Sequence, residues 1–342
     1  MEVNVLKSII DNLRKPNVLK GNIAFMIFMI VGMFAGNILK FLLIDIMLIQ
    51  NFTRNESYIY AIQLGTNQVV ILGGVVLLYF LITREKFKDV ITFRKIKGAD
   101  IFYIFLITVV TRPLIGVISM VTSHFTVDGP MGEVMNILSK MPFLAMFFVV
   151  AILPAFFEEF LMRGIIANNF KQRYSLFAAS LFNGILFGIF HMNFEQGFFP
   201  ILLGFIAIYL MYYTQSIIAP MLLHFFNNGT SVILTYLLTL LPGDVTNTDV
   251  NTSAMISSQN QNVAYYILLG ILAIGVVVLF GWLTYLLVNL IKERNEERWM
   301  ESNDYKKLDG EKVPFSRKIV DYIPFIITLI IYFYNVKDQI RF

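Results

Sequence analysis

Two adjacent carboxylates, Glu158 and Glu159, lie inside an apolar stretch that runs from about residue 143 to residue 166. A charged side chain near the centre of a bilayer costs about 2.5 to 3.5 kcal/mol even on the milder insertion scales. An acidic pair in such a stretch therefore predicts a functional site. Arg163 follows Glu159 by four residues, which places both side chains on one helix face and permits an intrahelical ion pair.

Two later apolar stretches each carry one of the three histidines of the chain. The first contains Phe187-x-x-x-His191 and the second contains His224-x-x-x-Asn228. If these helices are straight, their polar groups lie about 12 to 24 Å from the nearest helix end, at a depth similar to that of Glu158. Polar groups that recur at one depth in three spans predict a single converging site.

Composition indicates the class of protein that carries these residues. The chain has 342 residues, of which 57% are hydrophobic and 15% charged, with 33 phenylalanines and a mean hydropathy of +0.69. These values are typical of an all-α polytopic membrane protein. The absence of cysteine excludes disulfides, thiolate metal sites and a cysteine nucleophile.

Apolar runs long enough to cross about 30 Å of hydrocarbon predict eight or nine transmembrane helices. The predicted spans are 23–48, 58–82, 101–121, 142–167, 175–194, 198–214, 217–241, 263–291 and 319–334. The last is short and contains Asp321 and Pro324, so an interfacial or re-entrant helix is the alternative there.

The distribution of positive charge predicts the orientation of these spans. With the N-terminus in the cytoplasm, 20 of the 27 Lys and Arg residues fall in cytoplasmic segments, and the 242–262 loop has none. This is the positive-inside rule, and it explains the basic pI of about 9.0 without a nucleic-acid partner. Residues 1–22 are predicted to form an interfacial helix, 242–262 a flexible outer loop, and 292–318 a solvated inner linker.

The three motifs follow one another on successive core helices: Glu158-Glu159-x-x-x-Arg163, Phe187-x-x-x-His191 and His224-x-x-x-Asn228. In this order they resemble the motif set of the CAAX protease and bacteriocin-processing family of intramembrane proteases. That family includes type II CAAX prenyl endopeptidases and bacterial self-immunity proteins. The resemblance covers about residues 141–241, a four-helix catalytic core. It divides the chain into an interfacial helix (1–22), N-terminal helices (23–140), this core, and C-terminal helices with the linker (242–342).

The residues themselves suggest how such a site would hydrolyse a peptide. A carboxylate whose pKa is raised by burial is a suitable general base for water, and Glu158 is the candidate. Glu159 and Arg163 would form an ion pair that holds the first carboxylate in position.

The histidines and the asparagine would complete this site. His191 could share the role of base, and His224 and Asn228 could donate to the oxyanion that forms on the scissile carbonyl. One Glu and two His, namely Glu158, His191 and His224, could instead hold Zn²⁺ with an open fourth position. A water activated by Glu158 without a metal fits the same residues.

Three further residues have simpler interpretations. Phe187 is expected to pack beside His191, and His124 to be solvated in an outer loop near Asp128 and Glu133. For Arg112, which precedes Pro113 in the third span, a buried ion pair is favoured over binding of a substrate carboxylate.

The sequence thus predicts a multi-pass intramembrane endopeptidase of the cell membrane, with a bacterial plasma membrane as the location that the resemblance implies. Its site would face the cytosol and act on a membrane-associated peptide or protein. The first alternative is a non-catalytic immunity or scaffold protein that binds a membrane-protein partner. A second alternative is a proton-coupled transporter, although the related halves common in transporters are not found in the sequence.

The predicted topology can be tested by labelling single cysteines in this cysteine-free chain. Cysteines in the 84–100 and 292–318 segments should react only from the cytosolic side, because these segments are rich in Lys and Arg. Cysteines in the 242–262 loop should react only from outside. Labelling of that loop from the cytosolic side alone would overturn the assignment.

Overall fold

The computed structural model describes residues 17–40, 56–126, 140–171, 173–240, 263–302 and 315–340. The long helices in these ranges are α1 (Val18–Lys40), α2 (56–83), α3 (Gly98–Ser123), α4 (Phe143–Phe170), α5 (Leu176–Phe190), α6 (Phe194–Thr214), α7 (Ile218–Thr239), α8 (Val263–Arg294) and α9 (Phe315–Val336). In the ranges described, the β-type pairing consists of one isolated bridge, between Thr126 and Ile340, and there is no strand. The prediction of an all-α fold is confirmed.

Six of the described helices, α2, α3, α4, α6, α8 and α9, are long and apolar enough to cross a membrane. Helices α1 and α5 contain shorter apolar segments, of 17 and 15 residues. The prediction of a polytopic membrane protein is confirmed, whereas the total of eight or nine spans stays a prediction.

Helix α9 makes contacts at both ends of α5. At one end, Asp321 of α9 pairs with Arg173, just before α5. At the other end, the Phe194 backbone N–H, just after α5, donates to Gln339 Oε1 at 2.9 Å. Because α9 extends across the same thickness as α5, its geometry favours a span over the interfacial alternative.

Three ion pairs join helix ends that the charge distribution predicts to lie on one side of the membrane: Lys20–Glu85, Asp100–Arg294 and Arg173–Asp321. At the same side, two hydrogen bonds between Arg94 and Ser216 connect the segment between α2 and α3 to the segment between α6 and α7. The alternation of the helices is therefore as predicted, and the side that faces the cytosol stays a prediction.

Some predicted boundaries differ from the structure. Helix α1 begins at Val18, and its Lys20 and Asn22 are buried. Within the predicted linker, Glu293, Glu296 and Glu297 are exposed as expected, whereas Asn295 is buried and, together with Arg294, binds buried Asp100. Three predicted segments lie wholly or partly outside the described residues: 1–16 of the interfacial helix, the whole 242–262 loop, and 303–314 of the linker.

Helix α4 is central to the bundle. Its residues Leu161, Met162, Ile165 and Ile166 have no exposed surface. One apolar cluster packs α4 with α1, α2, α5 and α9, and a second cluster joins α3, α6, α7 and α8. The polar side chains of α4 therefore lie where the two groups of helices meet.

Helices α5 and α6 approach each other closely because glycines line their contact. A Cβ atom on Gly184 would lie 2.5 Å from the Ile201 carbonyl oxygen, and one on Gly188 would lie 2.4 Å from the Gly197 carbonyl oxygen. Small residues are the usual means of such close helix contacts in membranes. This contact fixes the C-terminal end of α5, where His191 follows.

Alanine at Gly184 should lower the melting temperature of the purified protein, because overpacking of a tight contact typically costs about 1 to 3 kcal/mol. A Cβ atom on Gly275 of α8 would have no neighbouring atom of the described residues within 4 Å. Gly275→Ala is therefore the matched control and should leave the melting temperature unchanged or slightly higher. Thermal unfolding in detergent measures both, and equal melting temperatures for the two variants would contradict the packing argument.

Candidate active site

The site is organised around the Glu159 carboxylate. Glu159 Oε1 accepts a hydrogen bond from Arg163 Nη1 at 2.8 Å and another from His224 Nδ1 at 2.9 Å. Glu159 has no exposed surface and Arg163 is 1% exposed. One buried oxygen therefore joins the central helix α4 to α7. The predicted ion pair between Glu159 and Arg163 is present.

Phe187 connects the charged groups to both histidines. The Arg163 guanidinium carbon lies 4.4 Å from the centre of the Phe187 ring. The same ring meets the His191 and His224 rings edge to face, with centres 5.1 and 5.7 Å apart. A cation over an aromatic face is favourable in a desolvated position. Phe187 therefore packs as expected, and it also holds three site residues.

The hydrogen bonds of the two histidines define their tautomers. His191 Nδ1 lies 2.8 Å from the Phe187 carbonyl oxygen. Because a carbonyl only accepts, Nδ1 carries the proton, and Nε2 of the neutral ring is free to take one. His224 Nδ1 faces the Glu159 carboxylate, so its Nε2 carries a proton only when the ring is charged.

The side-chain amide of Asn228 makes two hydrogen bonds. Its Nδ2 donates to the Val150 carbonyl oxygen at 2.9 Å, and its Oδ1 accepts from Asn227 Nδ2 at 3.0 Å. These partners fix the amide orientation, because the carbonyl of Val150 requires a donor. The second N–H of Nδ2 remains for another acceptor.

Five of the six predicted site residues line one cavity between α4, α5, α6 and α7: Glu159, Arg163, His191, His224 and Asn228. The cavity leaves about 40 Å³ for the centres of water-sized spheres. One water needs roughly 10 to 15 Å³ by this measure, so the cavity can hold a reacting water.

Glu158, the sixth predicted residue, is turned around α4 toward α2. It is buried, and its Oε1 accepts a hydrogen bond from Gln68 Nε2 at 2.8 Å. Its Oε2 is also buried and has no hydrogen-bond partner among the described residues. The two carboxylates thus face different sides of one helix: Glu159 lines the cavity with His191, whereas Glu158 contacts α2.

The predicted zinc ligands do not fit a metal ion in this arrangement. In the described ranges, which include Glu158, His191 and His224, no three His, Asp or Glu side chains converge as a metal ion requires. A tetrahedral zinc site needs its protein ligands within about 2.0 to 2.2 Å of one point. The Glu158 carboxylate points to α2, whereas His191 and His224 line the cavity with Glu159.

Arg112 differs from its predicted role. In the part of the chain that the structure describes it has no carboxylate partner, so the predicted ion pair is not found there. Its guanidinium donates to α7 instead, at Ser231 Oγ (2.9 Å), Thr230 Oγ1 and the Asn227 carbonyl oxygen. Carbonyl and hydroxyl dipoles can stabilise a cation as a carboxylate would, and a sequence pattern cannot distinguish the two.

Two contributors were not predicted from the sequence. Gln68 contacts Glu158 directly, and Asn227 connects Arg112 to Asn228. The signal for Gln68 was present, since Asn67 and Gln68 interrupt an apolar run in the same way as the acidic pair does. By contrast, His124 is exposed and remote from the site, as expected.

Replacing Arg163 with alanine should lower the folded yield sharply, because breaking a buried ion pair costs about 3 to 5 kcal/mol. Arg94→Ala is the matched control: Arg94 is exposed and bonds Ser216 through its backbone, and surface substitutions usually change stability by less than about 0.5 kcal/mol. The monodisperse fraction on size exclusion and the melting temperature measure both changes. An Arg163→Ala protein as stable as the control would show that the pair does not support the fold.

Comparison with known proteins is consistent with the site. Residues 140–230 match the family model described as Rce1-like, type II CAAX prenyl endopeptidase. The match spans the motif helices α4 to α7 up to Thr230, close to the predicted core of 141–241. No curated protein and no solved structure matched the chain. The segment that carries the site, residues 140–230, is therefore similar to type II CAAX prenyl endopeptidases of the Rce1-like kind.

Proposed function

We propose that the protein is an intramembrane endopeptidase that hydrolyses a peptide bond of a membrane-associated substrate with a water activated by Glu158. The observation that carries this proposal is the division of labour between the adjacent carboxylates. Among the described residues, Glu159 is paired with the Arg163 guanidinium and with His224, whereas the hydrogen-bond partner of Glu158 is the neutral amide of Gln68; Oε2 of each carboxylate is buried without a partner. A buried carboxylate that no cation neutralises is a suitable base for water.

His191 supports the same step. Its protonated Nδ1 is held by the Phe187 carbonyl, so Nε2 presents a lone pair. Glu158 and His191 together can take the proton that water loses when its oxygen attacks the scissile carbonyl carbon. The proton later passes to the amine nitrogen as the carbon–nitrogen bond breaks, which leaves a carboxylic acid and a free amine and restores the base.

Two side chains of α7 would stabilise the oxyanion by donating hydrogen bonds to it. Asn228 has one N–H of its amide free, and His224 can donate from Nε2 when it is charged. Losing one oxyanion donor typically reduces turnover about 10²- to 10³-fold.

A second, larger cavity suggests where the substrate lies. It is enclosed by α1, α2, α9 and the end of α5, and its lining includes Gln68, Phe190, Met192 and Asn335. It leaves about 420 Å³ for the centres of water-sized spheres, which is within the range of about 300 to 1,000 Å³ of ligand pockets. Gln68 contacts Glu158, and Phe190 and Met192 flank His191, so a peptide in this cavity would lie next to the proposed base.

The catalytic proposal predicts that Glu158→Gln and His191→Ala each lower turnover by at least about 10²-fold, the scale of a lost general base. Glu158→Gln should leave the folded yield unchanged, because the amide keeps the shape and removes a buried charge. His124→Ala is the matched histidine control and should keep wild-type turnover, since His124 is exposed. Cleavage by purified protein is measured on a farnesylated CAAX peptide and on an unprenylated membrane-anchored peptide, because the name of the matched family indicates prenylated substrates.

Wild-type turnover by both Glu158→Gln and His191→Ala would overturn the protease mechanism. If the wild-type protein cleaves neither peptide class but binds a membrane-protein partner, the scaffold interpretation is favoured. Cleavage of only the farnesylated peptide would assign the CAAX specificity, whereas equal cleavage of both would assign a broader endopeptidase.

A metal-free reaction predicts that chelation leaves turnover unchanged. Protein incubated with 1,10-phenanthroline should keep its activity, and elemental analysis should find zinc well below one ion per chain. Loss of activity on chelation with recovery on added Zn²⁺ would contradict this prediction and favour Glu158, His191 and His224 as ligands in a different conformation.

A further inference from the structure

We infer that Gln68 of α2 is a positioning residue for Glu158, an inference that rests on the proposed function. Gln68 Nε2 donates to Glu158 Oε1 at 2.8 Å across two helices that are 90 residues apart in the chain. Gln68 lies outside the segment that matches the protease family, residues 140–230. The machinery of the reaction would therefore extend into α2.

A local distortion of α2 helps Gln68 reach the carboxylate. The segment Asn67–Leu72 is π-helical, and each end of α2 is α-helical. A π-helical turn contains an extra residue and changes the direction of the side chains around it, and such turns recur at functional sites. The segment just after Glu159, Phe160–Ile166, is also π-helical. Both partners of the contact thus lie in or beside a distorted turn.

Close packing brings the two helices together at this level. A Cβ atom on Gly73, one turn beyond Gln68, would lie 3.0 Å from the ring of Phe157. The glycine lets the Phe157 ring, next to Glu158, lie directly against α2. The distance between Gln68 and Glu158 is therefore set by backbone packing as well as by side-chain choice.

The orientation of the Gln68 amide follows from its partner. The Glu158 carboxylate accepts hydrogen bonds when it is ionised, so it requires the amide nitrogen, and a flipped amide would place two oxygens together. Gln68 Oε1 is buried and has no partner among the described residues. The hydrogen bond fixes Glu158 Oε1 and leaves Oε2 as the oxygen that meets water.

This hydrogen bond predicts an effect on the rate of the reaction. Gln68 contacts the proposed base directly, so removing its donor should lower kcat more than it changes KM.

The test is Gln68→Met, which keeps the length of the side chain and removes the donor. We expect kcat to fall about 10-fold, the effect of a lost hydrogen bond to a charged group, with KM within about twofold. Thr66→Val is the matched control on the same helix, because the Thr66 hydroxyl bonds only to the Ile62 carbonyl of its own helix. It should reproduce the wild-type kcat and KM.

A second variant keeps the inference testable if Gln68→Met folds poorly. Gln68→Glu is nearly isosteric and replaces the amide donor with a carboxyl oxygen, so kcat should fall at least as far as in Gln68→Met. Wild-type kcat in either folded variant, with Glu158→Gln inactive, would overturn the role of Gln68 alone. An active Glu158→Gln protein would instead overturn the proposed function and this inference with it.

Discussion

The arrangement of the site depends on one buried carboxylate oxygen, Glu159 Oε1, which is shared by Arg163 and His224. A lone charge at this position would cost several kcal/mol, because the surrounding helices exclude water. The guanidinium compensates the carboxylate, and its own desolvation is offset by the face of Phe187. Since the three groups come from α4, α5 and α7, satisfying one charge brings these helices into a defined relation.

Packing between helices makes this relation rigid. Glycines at the α5–α6 contact bring the backbones so close that a methyl group would clash. A Cβ atom on Gly204 of α6 would lie 2.8 Å from the Gly184 Cα and 3.4 Å from Arg163 Nη2. The same glycine therefore sets the helix distance and leaves room for the guanidinium, so the apolar packing and the ion pair depend on each other.

The surrounding helices contribute to the site as well as enclosing it. The segment that matches the protease family supplies the acidic pair, the histidines and the asparagine. Outside it, Gln68 of α2 binds one carboxylate, and Arg112 of α3 binds the backbone of α7 beside Asn228. Helices α1 and α9 enclose the larger cavity. A variant in these helices can therefore alter the site without touching any residue of the three motifs.

The sequence by itself determined the class of fold, the alternation of the helices and the grouping of polar residues on α4, α5 and α7. It did so because hydrocarbon makes a polar residue in an apolar run costly, so each such residue needs a partner. The identity of that partner was decided by tertiary structure. Sequence spacing relates residues on one helix, as for Glu159 with Arg163, but the rotation of one helix against another depends on π-helical turns and glycine contacts. That rotation places Glu158 against Gln68, while Glu159 faces the other helices of the site. It also directs Arg112 to α7 rather than to a carboxylate.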